Sequence, residues 1–246
     1  MTKPHDNTPA LREVVYTAQS ELRRPGQMLA NLARDLRGAT HLGFRLFLRD
    51  FRAKYRQSLL GYLWVFLPPV AATLMFVLLT RMRVFNAGAL QIPYPLFALI
   101  GTIVWNVFTQ SLQAPLAAFT AAASYISRIH FPHESLLISV FLSVAVDSAI
   151  RLLILVPVLI YYGFWSGPAM LLLPLVLLAV IICGMALGLV ILPGGMLFQD
   201  FQKALPMFLS LWMFLTPVAY QIPSRTAQIL NPATALVLTA RDLVTG

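Results

Sequence analysis

Groups that do chemistry are scarce in this chain, and each scarcity closes off a class of function. A single cysteine, Cys183, stands among 246 residues, so no intrachain disulfide and no cysteine cluster for a metal can form. The four histidines, His5, His41, His130 and His133, share no ligand spacing, and neither a Ser-His-Asp arrangement nor a carboxylate pair can be assembled. Glycine-rich phosphate loops are missing too. No GxxxxGKS, GxxxxGKT or GxGxxG run occurs, and Gly194-Gly195 after Pro193 reads as a flexible exit from an apolar segment. Neither an enzyme's centre nor a nucleotide site is expected here. Charged residues are few, at 11% against about 25% in soluble domains. No apolar run opens the chain, so no cleavable signal peptide is expected and the first apolar segment must serve as the insertion signal.

What fills the chain is apolar. Hydrophobic residues make up 59%, which identifies an integral membrane protein. Its 18 Lys and Arg outnumber 9 Asp and Glu, but residues 1–56 alone hold eleven of the cations and five of the acids. The basic excess belongs to the N-terminal part, where it points to anionic membrane lipid and cytoplasmic retention, with no nucleic acid as partner. Residues 1–40, with Pro4, Pro9, Pro25 and Gly26 among mixed charges, read as a cytoplasmic N-terminal extension with one short helix from Gln27 to Arg37.

The change of solvent comes at RDFRAKYRQSLLGYLWVFLPP, residues 49–69. Before it, Phe44, Leu48, Phe51 and Tyr55 recur at helical spacing, with Arg45, Arg49, Arg52 and Arg56 one position behind. This is an amphipathic interface helix suited to a membrane surface, and Arg49, Asp50, Arg52, Tyr55 and Arg56 are its candidate interface residues. After it, Gly61 to Thr80 is long and apolar enough to cross a bilayer. Further spans follow from Pro95 to about Ala123, about Leu136 to Tyr162, about Pro168 to Leu192, and Leu205 to Tyr220. The fold class is all-α and polytopic, with five spans visible. Ala227 to Ala240 is apolar but short and broken by Asn231-Pro232, so it suits a re-entrant or interfacial helix on the outer side. With the N-terminus inside, 13 cations are cytoplasmic and 4 (Arg81, Arg83, Arg225 and Arg241) lie outside, which the positive-inside rule favours.

Three blocks carry a resemblance. The run at 49–69, ISRIHFPHESL at 126–136 and FQDFQKALPMFLSLWMFLTPVAY at 198–220 resemble, in that order, the permease subunit of ABC-2 type exporters for lipid-linked polysaccharides such as O-antigen, teichoic acid and capsule-like chains. The resemblance covers about residues 41–246 as one transmembrane domain. It implies an ABC-2 type transporter fold of six spans with short periplasmic helices after the fifth, so either a sixth follows beyond Gly246, the favoured expectation, or this chain departs from the family with five. It also implies that the chain pairs with a second copy of itself and with two copies of an ABC ATPase subunit. ATP and Mg would bind in that partner, with no cofactor in this chain, and a lipid-linked polysaccharide would leave across the bacterial inner membrane. The residues by themselves leave open an ABC-2 exporter of a drug or small lipid, and a proton-coupled secondary transporter.

Candidate sites follow. In the resembling family the loop between the second and third spans docks into the ATPase, which assigns coupling to Phe131, Pro132, His133 and Glu134; His133 stands where a basic residue, often Arg, would be expected. Gln199-Asp200 likewise departs from the family's Arg-Asp. Asp147 and Arg151, four apart with the acid first, form a candidate intramembrane ion pair, either structural or part of a proton or substrate path. Tyr62, Phe66, Trp105, Phe108, Phe208, Trp212 and Tyr220 are candidate channel residues, because ring faces stack on sugars without demanding a fixed hydroxyl pattern. An interfacial aromatic belt explains Tyr62, Trp64 and Tyr220 equally well.

Overall fold

A computed structural model describes residues 25–56, 61–83, 90, 92–126, 133–164, 171–220 and 231–245. The described residues form seven helices: α1 (Pro25–Arg56), α2 (Leu63–Arg81), α3 (Tyr94–Ile126), α4 (His133–Tyr161), α5 (Leu173–Leu197), α6 (Gln199–Leu215) and α7 (Pro232–Thr245). Four of them, α2 to α5, are long and apolar enough to cross a membrane. Their outward side chains are large and apolar, including Leu74 and Leu78 of α2, Leu153 and Ile160 of α4, and Leu175 and Ile182 of α5. In water such a surface would be costly, whereas in lipid it is the expected solvent boundary.

The 33-residue α3 sits at the centre and packs on α2, α4, α5, α6 and α7. Its closest neighbour is α5, and small residues allow the approach. A Cβ at Gly184 would come within 2.6 Å of Ser111 Cβ, and one at Gly188 within 2.4 Å of the Leu112 carbonyl oxygen. The two glycines are four apart, so they lie on one helix face and let the backbones close up as in other membrane helix pairs. Further along, Gly195 meets Leu116, so α3 and α5 run parallel with α4 returning between them. Helix α4 ends at Gly163 in the left-handed region (φ 72°), where Phe164 N–H bonds to the Leu159 carbonyl and Gly163 N–H to that of Ile160. This cap satisfies the last carbonyls of α4.

Three boundaries within the first six helices differ from the sequence expectations, and the last helix, expected to end at Ala240, runs on to Thr245. The short helix at Gln27–Arg37 and the amphipathic helix are one uninterrupted α1, with position 40 inside it. Helix α5 continues through Pro193-Gly194-Gly195 to Leu197, so these glycines are helical rather than a loop, and the reversal falls on Phe198 in extended conformation (φ −121°, ψ 112°). A Cβ at Gly195 would come within 2.6 Å of the Leu116 side-chain tip, which would have to shift to admit it. The last apolar helix begins at Gln199 and stops at Leu215, because Thr216 precedes Pro217 and is pushed to extended backbone (ψ 138°). Its 17 residues span about 25 Å, shorter than α2 to α5.

Helix α1 lies lengthwise on the first half of α4 and runs parallel to it. A Cβ at Gly43 would come within 2.8 Å of Ile138 Cβ and the Ser135 carbonyl, while Lys54 reaches Asp147. The face it buries is Ala39, Gly43, Leu46 and Phe47. Phe44 is exposed, and Leu48 and Phe51 are half-buried, so the packed stripe is rotated from the one read in the sequence.

Candidate functional site

The α1 arginines Arg45, Arg49, Arg52 and Arg56 are all exposed and, with Leu48 and Ala53, line a groove of about 900 Å³. Arg49 Nε bonds to the neighbouring Asp50 carboxylate at 2.8 Å. The side chain of Tyr55 lies outside the described residues.

Where α1 ends, three helices meet on one carboxylate. Asp147 of α4 is 2% exposed, and its Oδ2 accepts from Lys54 Nζ of α1 at 2.7 Å and from Gln110 Nε2 of α3 at 2.6 Å. A buried carboxylate needs a cation and donors to offset lost hydration, and these two side chains supply them from different elements. The sequence pairs Asp147 with Arg151 by spacing. The structure adds Lys54, a partner 93 residues away that no local pattern reveals. Arg151 is itself buried, one turn further along α4.

The aromatic candidates divide by burial. Trp105 and Phe108 belong to the core, 5% and 1% exposed, with ring centroids 5.6 Å apart. A ring with no accessible face cannot stack on a sugar, so their expected channel role gives way to packing. Trp212 of α6 meets Phe108 edge-on at 5.6 Å and Phe208 at 5.7 Å, and Phe208 is exposed. Tyr62 is exposed, and Phe66 and Tyr220 are half-buried; the Tyr220 hydroxyl donates to the Phe214 carbonyl. These five aromatics keep accessible surface. In the coupling stretch, Phe131 and Pro132 lie outside the described residues, while His133 and Glu134 open α4. The His133 ring stands 6.1 Å from that of Phe119, which ties the start of α4 to α3.

At the other end of the bundle lies a site that sequence reasoning missed. Arg241 of α7 is 4% exposed, donates through Nη1 to the Pro217 carbonyl and through Nη2 to those of Val218 and Phe97, and sits 3.4 Å over the Phe97 ring. Desolvation lowers its pKa to about 9 against opposing contributions from Tyr94 and Asp242, which leaves it cationic at neutral pH. Gly101 makes room for it, since a Cβ there would lie 2.5 Å from Nη2. Tyr94 donates to the Ala219 carbonyl, and Asn231 both donates to Thr216 Oγ1 and caps α7 by accepting from Ala233 N–H. The charge count had placed Arg241 in an outer loop. Its one signal was an arginine directly after the apolar run ending at Ala240.

No group of three or more metal-binding side chains occurs among the described residues. The model of the ABC-2 type transporter family matches residues 26–234. An O-antigen export system permease protein, RfbA, of Myxococcus xanthus is 29% identical over 195 residues, covering 79% of this chain and 74% of the relative. A Klebsiella pneumoniae protein of the same name is 26% identical over 208 residues, 79% and 76% of the two chains. The polysialic acid transport protein KpsM of Escherichia coli is 26% identical over 205 residues, 81% and 79% of the two chains.

Proposed function

Because the chain belongs to the ABC-2 type transporter family, we propose that it is the permease subunit of an ABC exporter that moves a lipid-linked polysaccharide across the bacterial inner membrane. The observation that carries this reading is the likeness, over 74–81% of each chain, to an O-antigen export permease and a polysialic acid transport protein, proteins named for two different glycans. The N-terminus is cytoplasmic, residues 41–246 form the transmembrane domain, and two copies enclose the path. ATP and Mg bind in a separate ATPase subunit, present twice, which docks on the stretch holding Phe131, Pro132, His133 and Glu134.

The physics suits this division of labour. A long hydrated chain cannot release from a single midplane pocket, because its polar groups would face hydrocarbon at about several kcal/mol each when unsatisfied. It needs a continuous wet path. Helices α2 and α6 have exposed apolar faces that a second copy could cover, and the accessible aromatics Tyr62, Phe66, Phe208, Trp212 and Tyr220 lie on or beside them. The Phe119–His133 contact gives a push on the start of α4 a direct route to the central α3.

The test is genetic and chemical. Cells lacking the protein should lose surface glycan while lipid-linked glycan accumulates on the cytoplasmic leaflet, and the intact gene should restore export. Unchanged surface glycan with heightened sensitivity to amphipathic drugs would replace this reading with a small-molecule exporter.

A further inference from the structure

Helix α3 carries a line of uncharged polar side chains, of which Thr102, Gln110 and Thr120 are engaged by neighbouring helices while Asn106, Thr109 and Gln113 bond within α3. Thr102, Asn106, Thr109, Gln110, Gln113 and Thr120 fall within about 100° of arc around the helix, at 100° per residue. The opposite face, with Ser111 and Leu112, is locked against Gly184 and Gly188 of α5. Along the stripe, exposure grows in one direction. Thr102 is fully buried, Asn106, Thr109, Gln110 and Gln113 are half-buried, and Ala117 and Thr120 are exposed. At the closed end Thr102 meets Thr73 of α2 at 3.0 Å. At the open end Gln202 of α6 donates to Thr120 Oγ1 at 3.0 Å and to the Gly195 carbonyl at 3.1 Å.

The amides have capacity to spare. Asn106 Nδ2 donates to the Thr102 carbonyl at 2.7 Å and Gln113 Nε2 to that of Thr109 at 3.2 Å, which fixes each amide through one donor. Each retains a second N–H and a carbonyl oxygen. Gln110 gives its Nε2 to Asp147, and its Oε1 is buried with no hydrogen-bond partner. Lipid could not lie against such a face without leaving these groups unsatisfied.

We propose that the accessible part of this stripe, from Asn106 to Thr120 and continued by Gln202, is a hydroxyl-reading rail along which the glycan chain moves, with the buried Thr102 closing its far end. Amides and hydroxyls both donate and accept, as sugar hydroxyls do, and their neutrality favours hydroxyls over charged groups as the feature recognised. From Asn106 to Gln113 successive rungs are about 5 Å apart along the helix, close to the length of one sugar ring in an extended chain, and Thr120 follows after a step of about 10 Å. Each rung trades one hydroxyl for the next, so a polymer can slide without a single deep well. This inference rests on the polysaccharide reading above and adds the residues that would read the sugar.

The experiment uses the full chain with its ATPase partner in cells, in a Cys183→Ser background. Asn106→Cys, Gln113→Cys and Thr120→Cys should react with a small hydrophilic methanethiosulfonate, while Ala122→Cys, on the buried side of α3, should not. Labelling at Asn106 and Gln113 should fall several-fold in cells making the glycan relative to cells blocked in its synthesis. The double change Asn106→Leu with Gln113→Leu should slow export several-fold at unchanged protein level, and Asn106→Gln should be milder. Absent labelling at all three positions, labelling indifferent to glycan synthesis, or disulfide formation between copies at Asn106 would overturn the rail. Surface glycan that does not need the protein at all would instead remove the polysaccharide reading, so the two failures are distinguishable.

Discussion

At Asp147 the cost of burying a carboxylate is shared among helices that are far apart in sequence. Lys54 is half exposed at its side chain, 48%, while Asp147 is 2% exposed, so the pair lies between a surface ion pair and a fully buried one. Lys54→Met should therefore destabilise by about 1–3 kcal/mol, less than a fully buried broken pair, because it leaves a charge in the core. Adding Asp147→Asn should recover most of that loss, since the neutral amide no longer needs a cation. A double-mutant cycle on unfolding in detergent measures the coupling, and additive losses would show that the two residues act independently. Arg241 poses the complementary case of a cation satisfied by backbone. Its fork serves three carbonyls at once, which a lysine cannot imitate. Arg241→Lys should leave at least one of those oxygens unsatisfied, at about 1–3 kcal/mol, and lower the thermal midpoint of the purified protein. A midpoint unchanged from the parent would mean that the carbonyls find other donors. Asp147 and Arg241 also mark the limit of sequence reading. Each was visible as a charge in an apolar context, but their partners, Lys54 and the carbonyls of Phe97, Pro217 and Val218, are set by tertiary packing.

Among elements, what could be read from the sequence was whatever depends on local composition. The four long apolar helices, the amphipathic helix and the short α7 all follow from hydropathy, period and punctuation residues. Misread boundaries came from residues whose meaning is tertiary. Gly194 and Gly195 look alike in sequence, yet a Cβ at Gly194 would meet nothing within 4 Å and one at Gly195 would meet Leu116 at 2.6 Å. The same contrast yields a prediction for the α3–α5 seam. Gly188→Ala places a methyl 2.4 Å from the Leu112 carbonyl, so the helices must separate, at about 1–3 kcal/mol for an overpacked contact. Gly194→Ala should be neutral or slightly stabilising, because alanine favours the helix and has open space. Thermal midpoints in detergent compare the two, and equal effects would remove the close approach as the reason for Gly188. Aromatic roles were misassigned for a related reason. Trp105 and Phe108 share helical spacing with channel-suited residues, but period alone does not say which face of a wholly apolar helix meets a neighbour.

For the whole molecule, orientation in the bilayer is the property on which every functional proposal depends, and the packing turns it into one experiment. Val70 and Leu74 of α2, Pro95 and Leu99 of α3, and Pro157 and Tyr161 of α4 line one shallow cavity, so the middle of α2 faces the start of α3 and the end of α4, and the α2 residues that follow lead to that end of the bundle. Arg241 and Tyr94 pin α7 and the end of α6 to that same end. The opposite end holds Thr120, Gly195 and Gln202, joined by hydrogen bonds, and the α5–α6 reversal. If the basic α1 retains the N-terminus in the cytoplasm, the first end is outside and the second inside. Single cysteines in a Cys183→Ser background can decide this at three strongly exposed positions, Met82 at 72%, Tyr161 at 83% and Leu197 at 77%. Met82→Cys and Tyr161→Cys should react with an impermeant maleimide in intact cells, and Leu197→Cys only after permeabilisation. The reverse pattern would turn the molecule over, placing the α1 arginines outside and His133 and Glu134 beyond reach of any cytoplasmic ATPase. The proposed coupling and direction of export would then both fail, although the packing of the seven helices would stand.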